Sequence, residues 1–129
     1  MDKLLIDTDV LIDHLRGHAK AREYLHKHWA AGDSLHCSVI SRAELFAGMR
    51  PEEEASIRAL FADLHEIPME RGIAEEAGVY RGRFGKSHGL LLPDALIAAS
   101  AKSIGARLIT LNAKHFPMKD VIVVTPYKS

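Results

Sequence analysis

The sequence has one cysteine and no long hydrophobic run, and these absences exclude several classes of protein. Cys37 has no second cysteine to pair with, so an intramolecular disulfide is excluded and a reducing compartment is expected. No apolar stretch reaches the roughly 18 residues that suggest a membrane span, and the N-terminal segment lacks the pattern of a signal peptide. We therefore expect a cytoplasmic protein with no membrane partner.

The sequence also lacks an excess of charge of either sign. It contains 17 Lys plus Arg and 17 Asp plus Glu, so it does not have the overall basic character of a tight nucleic-acid binder. Any nucleic acid would have to be held by a local group of basic residues. The candidates are Arg81, Arg83, Lys86 and His88, which precede Asp94. The alternative is that these residues form a solvated helix end and loop.

Short apolar runs alternate with helical patterns along the 129 residues, which is the size of one domain. We find no repeat, linker or low-complexity segment, so a single domain over residues 1–129 is expected. The alternation predicts an α/β fold with a central, mainly parallel sheet flanked by helices. The predicted strands are Lys3–Ile6, Leu35–Ile40, Glu66–Pro68, Arg107–Leu111 and Val121–Val124.

Helices are predicted from apolar periodicity and from capping residues. Thr8 or Asp9 is expected to cap the first helix, and the S-x-x-E pattern at Ser41 to Glu44 predicts a capping box that opens the third. Gly82, Gly85 and Gly89 are expected to bracket a mobile loop. The predicted helices are Val10–Leu15, Ala19–Ala31, Ser41–Met49, Pro51–Leu64, Glu70–Phe84 and Pro93–Ile104.

Three acidic residues lie where elements begin or end beside apolar runs. Asp7 ends the first strand, Glu44 lies in the first turn of the helix after the second, and Asp94 opens the last helix, while Asn112 follows the strand RLITL. Functional sites of parallel α/β sheets lie at the carboxyl ends of the strands, so we expect these four side chains to converge. Converging carboxylates call for a cation, and all-oxygen ligands favour Mg²⁺ or Mn²⁺.

Each acid also has a purely structural interpretation. Glu44 could complete a capping box, Asp94 could be a helix-start acid, and Asp7 could simply precede a turn. Asp9 lies close enough in sequence to reach the same site, whereas Asp13, one helical turn later, is expected to be solvated. The coincidence of three acids with apolar flanks favours the metal site.

The segments IDTDVLIDHL, SVISRAELFAG, LLPDALIAASA and LITLNAKHF together resemble the PIN-domain nucleases, and among them the VapC-type toxins of bacterial toxin–antitoxin pairs. The resemblance covers essentially the whole chain. It implies a single α/β domain, a Mg²⁺ or Mn²⁺ site, cleavage of an RNA substrate, a homodimer, and inhibition by a small VapB-like antitoxin. Asp7, Glu44 and Asp94 match the family's acidic ligand positions. The fourth position, acidic in many members, is Asn112 here.

These residue types predict RNA hydrolysis by metal-activated water, with no Ser or Cys nucleophile. Asp7 and Asp94 are expected to be metal ligands, Glu44 a ligand through water or a base, and Asn112 with Thr110 orienting groups. An apolar set on two neighbouring helices predicts mainly core packing, with an antitoxin or dimer groove as the alternative. Its members are Leu45, Phe46, Met49, Leu60, Phe61 and Leu64.

Two other functional classes are compatible with parts of the sequence. Asp7-Thr8-Asp9 also resembles the nucleophile loop of haloacid-dehalogenase-type phosphatases. The chain is short for that family, however, and no later pair of adjacent acids with a preceding lysine completes such a site. The other alternative is a non-catalytic PIN-like binding module, which would not bind Mn²⁺.

Overall fold

Five parallel strands form one sheet in the order β3-β2-β1-β4-β5. The fold is that of a computed structural model, which describes residues 1–128. The central strand β1 lies between β2 and β4, where Leu5 is in register with His36 on one side and with Leu108 on the other. The strands are β1 Lys3–Ile6, β2 Ser34–Ser38, β3 His65–Ile67, β4 Arg107–Ile109 and β5 Val123–Val124.

Six α-helices cover the sheet, and the predicted α/β class with a parallel sheet is confirmed. No helix within residues 1–128 is long and apolar enough to cross a membrane. Short 3₁₀ turns occupy Pro51–Glu53 and Ala113–His115. The helices are α1 Thr8–Leu15, α2 Ala19–Ala30, α3 Val39–Gly48, α4 Glu54–Ala62, α5 Arg71–His88 and α6 Leu92–Ile104.

The centre of the sheet is buried on both faces, which explains why β1 carries a continuous apolar run rather than an alternating one. Leu5 and Leu108 belong to a core cluster with α5 and α6. Leu4, Ile6 and Ile109 point the other way, into a cluster with α1, α2, α3 and α4. Successive residues of β1 therefore anchor two separate helix layers, and the carboxyl end of β1 emerges between them.

Two helix starts differ from the sequence prediction. Asp7, rather than Thr8 or Asp9, caps α1, because its extended backbone lets its carboxylate accept the Thr8 backbone N–H at 2.8 Å. The prediction of a capping box at Ser41 is also wrong. Ser38 caps α3 by accepting the Ile40 N–H at 3.1 Å, so the apolar residues predicted to end a strand form the first helical turn. Glu44 consequently lies in the second turn of α3, not the first.

The mobile loop predicted around Gly82 and Gly85 is also wrong. Helix α5 continues through both glycines to His88, because Tyr80 and Phe84, one turn apart, pack against the core and hold the helix in place. Only Gly89 leaves the helical region, with φ of 67°. This left-handed residue reverses the chain between α5 and α6.

Three other boundaries differ from their predictions. The segment predicted as one helix from Pro51 is a 3₁₀ turn followed by α4. Strand β4 ends at Ile109, so Asn112 stands three residues beyond the strand, at the start of the second 3₁₀ turn. Strand β5 is shorter than predicted and comprises Val123–Val124.

Candidate active site

Asp7 lies at the carboxyl end of the central strand, and both of its carboxylate oxygens accept hydrogen bonds. Its backbone N–H continues the sheet by donating to the Ile109 carbonyl at 2.9 Å. The Thr8 N–H donates to Oδ1 at 2.8 Å and the Thr110 hydroxyl donates to Oδ2 at 2.7 Å. The residue is 5% exposed. Local capping and a contact 103 residues away in sequence therefore fix the orientation of this carboxylate.

Burial makes the negative charge of Asp7 costly. The pKa of Asp7 is raised from 3.8 to about 7, mainly by burial and also by the charges of Asp9 and Asp94, against the lowering effect of the Thr110 and Thr8 hydrogen bonds. A carboxylate in this position resists ionisation unless a positive charge is nearby.

The other predicted acids share this electrostatic environment. Burial raises the pKa of Asp94, and repulsion from Glu44 raises it further, while His115 lowers it. Asp94 lies in the first turn of α6 and is partly buried, whereas Glu44 is exposed on α3. Because Asp94 also acts on Asp7, the three acids form a chain of like-charge repulsions at one edge of the sheet.

No basic residue forms an ion pair with these acids within the part of the chain that the structure describes. The ion pairs found among residues 1–128 involve other acids, namely Asp2, Asp33, Glu54, Glu66, Glu76 and Asp120. Over the same residues, no group of three or more His, Cys, Asp or Glu side chains forms a ready-made metal-binding cluster. This edge of the sheet therefore carries carboxylates that form no ion pairs among residues 1–128, and these carboxylates do not by themselves form a complete metal-ligand shell.

Asp9 also lies at this edge, although the sequence analysis did not include it among the main candidates. Its Oδ2 accepts the Leu111 N–H at 3.1 Å and the Asn112 side-chain amide at 3.3 Å, and its Oδ1 accepts the Val10 N–H at 2.7 Å. Burial raises its pKa, and the hydrogen bond from Leu111 is the largest opposing effect. The D-x-D spacing after an apolar strand is the sequence signal that identifies it.

Two buried threonines orient the carboxylates. Thr8 donates its hydroxyl hydrogen to Glu44 Oε1 at 2.7 Å, and its oxygen lies 2.8 Å from the hydroxyl of the fully buried Ser41. Since a hydroxyl has one hydrogen, Ser41 must be the donor to Thr8. Thr110 follows the same pattern, because it accepts the Asn112 backbone N–H at 3.0 Å and donates to Asp7. Each threonine therefore has its proton directed towards a carboxylate.

An apolar groove lies beside Glu44, between α1, α3 and α4. Its cavity volume is about 70 Å³, and Ile12, Leu15, Leu45 and Met49 contribute to its walls together with the charged Arg16 and Glu53. The other members of the predicted apolar set pack elsewhere. Leu60, Phe61 and Leu64 are buried in the core, and Phe46 is half-buried beneath the Arg58 guanidinium.

Comparison with known proteins agrees with this architecture. The PIN domain family matches residues 4–120. The chain is 43% identical to ribonuclease VapC10 of Mycobacterium tuberculosis over 116 residues, which cover 89% of this chain and 86% of that protein. It is 38% identical to ribonuclease VapC19 of the same organism over 115 residues, covering 88% and 92% respectively. A toxin–antitoxin complex from Klebsiella pneumoniae contains a chain that superposes with a TM-score of 0.82 at 31% identity, covering 98% of this chain and 99% of that one.

Proposed function

The chain belongs to the PIN-domain family, and from this premise we propose that it is a metal-dependent endoribonuclease and the toxin of a VapBC-type toxin–antitoxin pair. The observation that carries the proposal is the edge at which buried and partly buried carboxylates repel one another and form no ion pair among residues 1–128. The ribonuclease names of the VapC relatives support RNA as the substrate. The phosphatase alternative is not retained.

The donor chemistry of this edge fits a hard divalent cation. We assign Asp7, Asp94 and Glu44 as the groups that hold Mg²⁺ or Mn²⁺, with Asp9 as an additional acid beside Asn112. All are oxygen donors, which suit these ions better than zinc or copper. Because these groups do not form a complete shell alone, oxygens of water and of the RNA phosphate are expected to complete it. When bound, the ion acidifies a water and offsets negative charge on the phosphate.

The protein side chains orient the carboxylates and accept a proton. Thr110 and the Thr8 N–H hold the Asp7 carboxylate in one orientation. Glu44 is exposed and bound by only one hydroxyl, so it is placed to accept the proton of the attacking water or to act as a ligand through water. Hydrolysis adds the water oxygen to phosphorus and releases one ester oxygen, which takes up a proton. Asn112 connects Asp9 to Thr110 and so orients both.

We also propose that an antitoxin controls this site. The apolar groove beside Glu44 fits the apolar face of an amphipathic helix, which would cover the carboxylate edge when seated there. A homodimer acting in the cytoplasm is expected for the active form. Expression of the chain alone should arrest bacterial growth, and co-expression of the partner should relieve the arrest. Normal growth during strong expression of folded protein would contradict the toxin assignment.

The direct test is RNA cleavage by purified protein in Mg²⁺, in Mn²⁺ and in chelator. We expect cleavage only with metal, and we expect Asp94→Asn to lower the rate at least about 100-fold, within the range lost when a key electrostatic group is removed. Asp63→Asn is the matched control, because Asp63 is an exposed carboxylate at the end of α4 and should retain the parental rate. Parental cleavage by folded Asp94→Asn protein would show that Asp94 does not hold the metal.

A further inference from the structure

We propose that the C-terminal half of α5 binds the phosphate backbone of the RNA and directs it to the carboxylate edge. Arg81, Arg83 and Lys86 define this surface, which we call the basic end of α5. The inference rests on the proposed ribonuclease function and deepens it by naming the residues that hold the substrate. It also meets a physical need, because a polyanion approaching several uncompensated carboxylates requires cations close by.

The topology places the basic end of α5 beside the site. Helices α5 and α6 pack along one another and are joined by only the three residues 89–91. The last turn of α5 therefore lies next to the first turn of α6, which contains Asp94. Because these residues are helical rather than part of a mobile loop, Lys86 stands at a fixed position beside that first turn, and Arg81 and Arg83 lie further back along α5.

The charged residues in the C-terminal half of α5 are all basic and form no ion pairs among residues 1–128. No Asp or Glu occurs between Ala77 and Pro93. Arg81, Arg83 and Lys86 are all exposed, and none of them takes part in an ion pair among residues 1–128. Cations without an internal partner are available to an external phosphate.

Arg81 extends towards the end of the helix that faces the site. Its guanidinium lies over Gly85, one turn closer to the C-terminus, in the space that a Cβ at position 85 would occupy. Gly85 therefore leaves room for the arginine side chain along the helix surface. A Cβ at this position would require the flexible Arg81 guanidinium to move.

The helix dipole explains only part of this charge pattern. Basic residues in the last turn interact favourably with the helix C-terminus, but the effect falls off within that turn. Lys86 lies in the last turn of α5. Arg81 and Arg83 lie seven and five residues before His88, which is roughly 10 Å and 8 Å along the axis. The helix dipole therefore does not account for Arg81 and Arg83.

The test measures binding of a short fluorescent single-stranded RNA by anisotropy, in chelator so that no cleavage occurs. The combined variant Arg81→Gln, Arg83→Gln, Lys86→Gln is compared with Lys20→Gln, Lys27→Gln, Lys128→Gln. The second set consists of exposed cations on a different surface and changes the net charge by the same amount. Thermal melts confirm that both combined variants are folded.

We expect the α5 variant to bind RNA at least tenfold more weakly. Its plot of log K against log salt should be shallower by about 2, since each phosphate contact on a single strand contributes roughly 0.7. The control variant should keep nearly the parental slope. Equal losses in both variants, an unchanged α5 variant, or a parent protein that does not bind RNA would each overturn the inference.

The outcomes separate this inference from the proposed function. RNA bound through the basic end of α5 but not cleaved when Mg²⁺ or Mn²⁺ is added would support the surface and contradict the ribonuclease. Cleavage by the parent together with undiminished binding by the α5 variant would support the ribonuclease and contradict the surface.

Discussion

Replacing Asp7 by Asn should stabilise the metal-free protein at pH 8 and remove the stabilisation that Mn²⁺ gives to the parent. Asp7 is 5% exposed, and its pKa is raised to about 7 mainly by burial. Near pH 8 the folded metal-free protein must therefore hold a buried negative charge with no basic partner among residues 1–128. Asparagine has nearly the same shape and no charge, so it isolates this electrostatic cost.

The magnitude follows from the difference between the two states of the chain. Between about pH 4 and 7, folded Asp7 keeps a proton that the unfolded chain has released, so the free energy of unfolding falls as pH rises. A pKa shift from 3.8 to about 7 corresponds to roughly 4 kcal/mol above pH 7. The asparagine amide nitrogen no longer accepts the Thr110 hydroxyl, and leaving this buried donor without an acceptor costs about 1 to 2 kcal/mol. The net gain at pH 8 is roughly 2 to 3 kcal/mol.

Thermal melts in chelator at pH 5 and pH 8 measure this gain. For a domain of this size, 1 kcal/mol shifts Tm by roughly 3 to 5 °C, so Asp7→Asn should melt roughly 6 to 15 °C above the parent at pH 8. Most of the difference should disappear at pH 5, where the parent is largely protonated at Asp7. Asp63→Asn, which changes an exposed carboxylate, should leave Tm nearly unchanged at both pH values.

Excess Mn²⁺ provides the second half of the experiment. A ligand bound only by the folded state stabilises it by about 2.7 kcal/mol at one hundred times its Kd, so the parent should gain several degrees and Asp7→Asn should not. If Asp7 were only a helix-capping acid, its removal would instead lower stability by about 0.5 to 1 kcal/mol at both pH values. A lower Tm in chelator, or an undiminished Mn²⁺ response, would refute the reasoning.

Three further predictions test neighbouring residues. Asn112→Asp should tighten Mn²⁺ binding in calorimetric titration, because it adds a carboxylate beside Asp9, and unchanged affinity would place Asn112 outside the site. Thr8→Val removes the hydrogen bond donated to Glu44 and should slow RNA cleavage roughly tenfold. Thr8→Ser keeps the hydroxyl and should restore most of the rate. A Thr8→Val rate equal to the parent's would contradict a positioning role. Tyr80→Phe loses the hydrogen bond to Asp120 at 2.9 Å and should lower stability by about 1 kcal/mol without changing the cleavage rate, so an altered rate would contradict a purely structural role.

The sequence by itself determined the fold class and the edge of the sheet at which the candidate residues lie. Apolar runs that alternate with helical periods are sufficient to specify a parallel sheet between two helix layers. An acid directly after β1, as Asp7 is, then falls at the carboxyl edge by topology alone. The same reasoning placed Asp94 correctly, because Pro93 next to it and the apolar run after it mark the start of α6.

Predictions from local sequence patterns were wrong where the same residues are consistent with two kinds of element. Val39 and Ile40 continue an apolar run and are consistent with a strand, yet they form the first turn of α3 because Ser38 caps it. Gly82 and Gly85 favour a loop by propensity, yet α5 continues through them because Tyr80 and Phe84 pack against the core. Tertiary packing outweighs local propensity in both places.

Only the tertiary structure decided how the site residues act on one another. The contact of Thr8 with Ser41 spans 33 residues of sequence, and that of Asp9 with Asn112 spans 103. The raised pKa of Asp7 depends mainly on how completely the surrounding chain excludes water. Sequence periodicity specifies which face of an element a side chain occupies. Hydrogen-bond direction and desolvation depend on every group packed around that side chain, and the folded chain alone brings those groups together.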